Sequence, residues 1–224
     1  MEITWLGQAG LLFETEETKI MIDPYLSDSV RKYEPQNARR VPIDRSFFDV
    51  KPDIMIFTHN HLDHYDPETV PHFINTNTSV TVLAPKSVYD IAVKTGGKNE
   101  HLLFDVGTKI VSHGITFYAV KARHSDPYSI GVIIDDGDKK YYVTGDTLFD
   151  EDILDSLPND IYAVFLPING TGNNMNASEA TRFCERIKPS VAVPVHFGMF
   201  DSIDSNDFEY PNRSIPRIYK KIEV

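Results

Sequence analysis

A single cysteine, Cys184, in a chain of 224 residues excludes an internal disulfide, so the fold must rest on its own core. No apolar run approaches the roughly 18 uninterrupted residues that a membrane span requires. The opening Met1-Glu2-Ile3-Thr4-Trp5 lacks a basic stretch followed by a long apolar one, so no export signal is expected and the expected compartment is the cytoplasm. Basic residues are scarce: 22 Lys and Arg stand against 33 Asp and Glu, a formal charge of −11. That balance argues against a broad nucleic-acid or anionic-membrane surface. Short-period repeats, low-complexity tracts and linkers are missing as well, and a single domain spanning residues 1–224 is expected. What is present suffices for a core, since 41% of residues are hydrophobic and 25% charged, close to globular averages.

Apolar runs at 10–13 and 19–22 flank a polar 14–18 and predict a hairpin ending at Asp23-Pro24. The continuous apolar run 54–57, bounded by Pro52 and by Thr58-His59-Asn60, predicts a buried strand with a polar loop at its carboxyl end. A helix from about Pro67, a strand at 80–84 and a helix at 87–94 stopped by Gly96-Gly97 follow. Four consecutive antiparallel strands are expected at 109–111, 116–122, 129–134 and 140–143, the last two joined by an Asp136-Gly137 turn. Beyond them come a strand at 161–166, a helix opened by the capping-box-like Asn176-Ala177-Ser178-Glu179 and left at Pro189, and a strand at 191–195. Residues 201–217 read as an ordered surface loop. The pattern is that of an α/β domain with a large mixed β layer covered by helices.

Chemistry concentrates in Thr58-His59-Asn60-His61-Leu62-Asp63-His64, where three of the chain's eight histidines and a carboxylate follow directly on a buried strand. Neutral imidazole and carboxylate are ligands for zinc, manganese and iron alike, and a loop leaving a rigid strand can aim several at one point. His59 and His61, two apart, project to one side of extended backbone. A solvated, histidine-rich loop is the competing explanation and is disfavoured by this density. His72, His101 and His113 have no such context and read as ordinary polar residues. Asp135, Asp136 and Asp138 surround a turn, and Cys184 falls within a predicted helix as core packing rather than as a nucleophile.

His-x-His-x-Asp-His after an apolar strand resembles the signature of the metallo-β-lactamase superfamily. The remaining elements come in the expected order: Asp23, His124 in Ala122-Arg123-His124-Ser125, Asp146 in Thr144-Gly145-Asp146-Thr147, and His196 in Pro194-Val195-His196-Phe197-Gly198. The resemblance spans about residues 1–200 and implies a four-layer αββα sandwich. It also implies a first metal on His59, His61 and His124, a second on Asp63, His64 and His196, and Asp146 bridging them. Asp23 is expected to fix a ligand histidine or its loop rather than bind metal itself. Two divalent ions, zinc or manganese with iron as an alternative, would carry a bridging hydroxide for hydrolysis, with Asp63 and Asp146 as the catalytic carboxylates. Two dications less two carboxylates and a hydroxide leave the site net positive, compatible with a small anionic substrate.

Trp5-Leu6-Gly7-Gln8-Ala9-Gly10, Ile22-Asp23-Pro24-Tyr25-Leu26, and Leu166-Pro167-Ile168-Asn169-Gly170 followed by Asn174-Met175-Asn176 resemble the branch that includes L-ascorbate-6-phosphate lactonase. A lactone or ester of a small, phosphorylated, sugar-like metabolite is the substrate this implies. Asn169 and Gly170 are expected to line the pocket, and Arg213 or Arg217 to meet a phosphate. The alternatives are a phosphodiesterase or RNA-processing nuclease of the same superfamily, disfavoured by the missing basic track, and a non-catalytic metal-stabilised binding scaffold.

Overall fold

The computed structural model describes residues 1–76 and 79–224. Its first half is a sheet of β1 (Glu2–Gly7), β2 (Gly10–Glu14), β3 (Lys19–Ile22), β4 (Ile54–Ile56), β5 (Thr81–Ala84) and β6 (Glu100–Leu103), in that order. The helices α1 (Val70–Thr76) and α2 (Lys86–Thr95) belong to this half. The second half runs through β7 (Lys109–Ser112), β8 (Ile115–Lys121), β9 (Ile130–Asp135), β10 (Lys140–Val143), α3 (Glu151–Ser156), β11 (Ile161–Pro167), α4 (Ala177–Ile187) and β12 (Val191–Val195). Its strands form a second six-stranded sheet, ordered β12-β11-β10-β9-β8-β7.

Antiparallel pairing of β1–β2 and β2–β3 gives way to parallel pairing of β3–β4, β4–β5 and β5–β6. In the second sheet β7 to β10 are antiparallel neighbours, whereas β10–β11 and β11–β12 are parallel. Strands β8, β10, β11 and β12 therefore run one way, as β1, β3 and β4 do in the first sheet, so carboxyl ends collect along a rim. Open α/β sheets bind ligands at such ends.

Two faces meet in the middle. Phe13 packs edge-on against Tyr141 and Phe165, with ring centroids 5.9 and 5.5 Å apart, and joins the sheets. Full burial of one such side chain is worth about 1.5–3 kcal/mol. On the outer face of the first sheet, Met55, Val82, Phe73 and Val88 build a separate cluster with α1 and α2. Against the second sheet, α4 turns Ala180, Phe183 and Cys184 inward. The layering is helix, sheet, sheet, helix, as expected from sequence. The α4 capping box is present, with the Asn176 side chain accepting from Glu179 N and Glu179 accepting from Asn176 N. Among the described residues no helix is long and apolar enough to cross a membrane.

The 201–217 segment does more than cover surface. Ala192 N–H donates to Asn212 O and Ser214 N–H to Ala192 O, each at 2.9 Å, capping the β12 edge. Further on, Tyr219 and Ile222 donate to Trp5 O and Ile3 O at 2.7 and 2.8 Å, capping the β1 edge. One stretch of chain thus shields an edge of each sheet from further pairing. Sequence did not reveal β1, β6 or α3, and placed the start of α1 about three residues early, since 67–69 form a turn before Val70.

Candidate metal centre

Each expected ligand follows a strand end on the common rim. His59, His61, Asp63 and His64 occupy the loop after β4, His124 follows β8, Asp146 follows β10, and His196 follows β12. Within the loop, His64 and Tyr65 donate to His61 O at 3.0 and 2.8 Å, a helical turn that folds His64 back beneath His61. Ile130 N–H donates to Thr58 O at 3.0 Å and sews this loop to the second sheet.

The side chains converge in three overlapping groups whose ligand atoms lie within 4.8 Å of one another: His59, His61 and His124; His59, His64 and Asp146; Asp63, His64 and His196. The first and third are the two sets implied by the resemblance, and Asp146 stands with one histidine from each. None of His72, His101 and His113 enters these groups among the described residues.

The donor set fits divalent cations. Among the described residues Nε2 of His59 is buried without a hydrogen-bond partner, and Nε2 of His64 and Oδ1 of Asp146, also buried, face each other at 3.3 Å without the geometry of a hydrogen bond. Buried polar atoms left unpaired cost on the order of 1–3 kcal/mol each, so three at one point call for a shared ligand. Separations agree. His61 Nδ1 is 3.1 Å from His124 Nε2, His64 Nε2 is 3.3 Å from Asp146 Oδ1, and His196 Nε2 is 3.3 Å from Asp63 Oδ2 and 3.2 Å from Asp146 Oδ2. Bonds of about 2.1 Å around a tetrahedral ion place neighbouring ligand atoms about 3.4 Å apart.

The opposite nitrogen of four of the five ligand histidines is held by another group, the arrangement that orients metal ligands. His59 Nδ1 lies 3.1 Å from Thr58 Oγ1, and His61 Nε2 lies 3.2 Å from Ser125 Oγ. His124 Nδ1 meets Asn173 O at 3.3 Å, and His64 Nδ1 meets Asp23 Oδ2 at 2.8 Å. Asp23 itself accepts from Thr58 N at 2.9 Å and from Thr58 Oγ1. It makes the contacts of a residue that fixes a histidine and its loop.

Electrostatics follow from packing imidazoles and carboxylates out of water. Burial and the neighbouring His64 push His59 well below the usual histidine range. For His64 burial works against the charged ring, but Asp146, Asp23 and Asp63 outweigh it and raise its pKa well above normal. Burial likewise opposes charge on His196, which Asp146 and Asp63 nevertheless raise to about 10. Asp146 is held well below the carboxylate range, burial being outweighed by His196 and His64. The carboxylates thus favour positive charge between them, and bound cations supply it.

A cavity of about 660 Å³ opens over this cluster. His61, Asp63, Asp146 and His196 line it together with Asn169, Thr171, Val30 and Glu34. Nearby in sequence, Arg39 ties its own segment to the loop after β3, with Nη1 donating to Tyr25 O at 3.0 Å and Nε to Val41 O at 2.9 Å. Gly170, at φ +65°, turns the Asn169 loop; a Cβ there would sit 2.8 Å from Asn176 Cβ. Arg213 is elsewhere. It pairs beside Ala192 at the start of β12, the far end of that strand from His196, and lines a separate groove with Ser190 and Ile215. Among the described residues lining the cavity there is no Lys or Arg, so the guanidinium expected at a substrate phosphate is not in place.

Gln8 and Asn174 stand in the segments that carry the branch resemblance, but sequence reasoning assigned neither a role in the site. Asn174 Nδ2 donates to Asp146 Oδ2 at 2.9 Å, and Gln8 Nε2 to Asp63 Oδ2 at 2.9 Å. Gln8, Asp23 and His196 all have positive φ, +51°, +43° and +57°. Non-glycine residues in the left-handed region cluster at functional sites, where surrounding contacts hold the strain. Gly7-Gln8 directly after an apolar stretch was the available signal.

A two-sheet sandwich with histidines and aspartates gathered on one rim is the metallo-β-lactamase fold. Residues 2–196 match the family model described as the Beta-lactamase superfamily domain, and the chain belongs to that family. UPF0173 protein PF0020 of Pyrococcus furiosus is 30% identical over 210 residues, covering 93% of this chain and 89% of that protein. UPF0173 metal-dependent hydrolase MK1542 of Methanopyrus kandleri is 28% identical over 240 residues, 100% of this chain and 95% of that protein. Among solved structures, Igni18, a metallo hydrolase from Ignicoccus hospitalis, superimposes with a TM-score of 0.78 at 19% identity, covering 98% and 96% of the two chains.

Proposed function

We propose that this protein is a metal-dependent hydrolase of small lactones or esters. The observation that carries the reading is the set of buried His59 Nε2, His64 Nε2 and Asp146 Oδ1, none of them hydrogen-bonded among the described residues, beside a cavity that Asp146 lines. His59, His61 and His124 would hold one divalent cation and Asp63, His64 and His196 a second, with Asp146 shared. Such cations lower the pKa of water towards neutrality and polarise a substrate carbonyl.

The protein's own groups supply the rest. Asp63 is the more exposed of the two site carboxylates, 17% against 6% for Asp146, so it would orient the attacking water and take up its proton. Asn174 fixes Asp146. Val30, Leu62 and Phe200 give the cavity apolar wall, and Asn169, which also lines it, would offer an amide to substrate. The positive charge offered to substrate would come from the cations alone, because the described lining residues include Glu34 and Asp201 but no Lys or Arg. The geometry accordingly favours an uncharged lactone or ester over a phosphorylated one. The described residues lining the cavity likewise give a polyanionic RNA no basic track.

A panel of chromogenic esters, lactones and phosphodiesters, offered to the metal-loaded protein, tests the proposal. Turnover confined to carbonyl substrates is expected. Phosphodiester cleavage without action on lactones would reverse it, and a metal-loaded but wholly inert protein would favour the binding scaffold.

A further inference from the structure

We propose that Gln8 is a positioning residue that sets the cation affinity of the Asp63, His64 and His196 group without affecting the His59, His61 and His124 group. The inference rests on the reading that both groups hold cations.

Gln8 is 2% exposed and sits in the β1–β2 turn at φ +51°. Its backbone carbonyl accepts from Trp5 Nε1 and from His196 N, both at 2.9 Å. Its side-chain amide donates to Asp63 Oδ2 at 2.9 Å and lies 3.3 and 3.2 Å from the two ring nitrogens of His196. One residue therefore grips the backbone and the ring of His196 together with the carboxylate of Asp63. These two ligands arrive from different sheets, after β12 and after β4, and Gln8 joins them through a third element.

The amide's orientation is fixed by chemistry. A carboxylate only accepts, so the group facing Asp63 must be the NH2 end. The other set is tied differently: His59 to Thr58, His61 to Ser125, His124 to Asn173. Among the described residues Gln8 contributes to none of those bonds. Removing its amide would leave Asp63 free to rotate and the His196 ring unsupported, while the first set keeps its partners. Loss of an outer partner to a metal ligand typically costs about 10–100-fold in affinity.

Two variants separate donation from folding. Gln8→Asn keeps an amide and tolerates positive φ but is one methylene too short to reach. Gln8→Met keeps the length and loses the donor. Metal-free wild-type protein and both variants are titrated with zinc by calorimetry, and repeated in His196→Ala and His124→Ala backgrounds. Wild type is expected to bind at two sites. In both Gln8 variants one site should weaken about 10–100-fold while the other stays within about threefold. The change should add nothing to His196→Ala but should add to His124→Ala. Unchanged binding at both sites, or equal weakening at both, overturns the role of Gln8. Fewer than two sites in the wild type overturns the two-cation reading instead.

Discussion

The carboxylate of Asp23 lies 2.8 Å from Nδ1 of His64, and both side chains are fully buried. That carboxylate also takes the N–H and the hydroxyl of Thr58, so it ties the end of β3 to the ligand loop after β4. Asp23→Ala would strand three buried donors at once. Breaking a buried charged pair costs about 3–5 kcal/mol, and urea unfolding of the metal-free protein should show a loss of that order. Asp23→Asn, which still offers one acceptor oxygen, should lose less. An Asp23→Ala protein as stable as wild type would show that this contact is not structural.

Gly145 precedes Asp146 at φ +62°, and a Cβ there would lie 2.8 Å from Ile130 O and 3.0 Å from Thr58 Cβ. Both neighbours belong to the seam between the sheets. Gly145→Ala should therefore cost about 1–3 kcal/mol from strain and overpacking. It should also weaken metal retention, because the displaced backbone carries Asp146. Thermal unfolding with and without zinc reads both effects.

The legible parts of this protein are those where local sequence carries its own signal. The apolar 54–57 run predicts β4, the Asn176 capping box marks α4, and the histidine density of 58–64 announces ligands before any fold is known. The resemblance then supplied His124, Asp146 and His196, each of them a lone residue after a strand. What stayed hidden depends on tertiary pairing. The β6 strand, Glu100–Leu103, is polar at its start, with Glu100 and Leu103 exposed, and is a strand because β5 lends it partners. Gln8 and Asn174 have neutral amides, which no pattern of titratable residues selects. Arg213 carries the planar guanidinium that a phosphate would need, but its position at the start of β12 keeps it out of the cavity.

Arg213→Ala should accordingly leave kcat/KM for any hydrolysed substrate within about twofold. Asn174→Ala should lower kcat by about tenfold, a loss of about 1.4 kcal/mol in barrier terms, since Asp146 loses its 2.9 Å donor. Steady-state kinetics on the two variants distinguish cavity from distant groove. An equal loss in both would contradict the placement of Arg213.

Cys184 faces the core from α4, and burial pushes its thiol far above the usual range. The thiolate is the reactive form, so none is available at pH 8 in the folded state. Iodoacetamide should leave the native protein unmodified and label one site after denaturation, as read by intact mass. Rapid labelling of the native protein would place the thiol at the surface.

The convergence of seven side chains on a pair of cations is tested most directly by metal content. Wild-type protein equilibrated with zinc and freed of excess, then measured by inductively coupled plasma mass spectrometry, should hold two ions per chain. His61→Ala and Asp146→Ala, folded by circular dichroism, should each retain one or fewer. Wild type without bound metal, or variants that keep the full complement, would contradict the account.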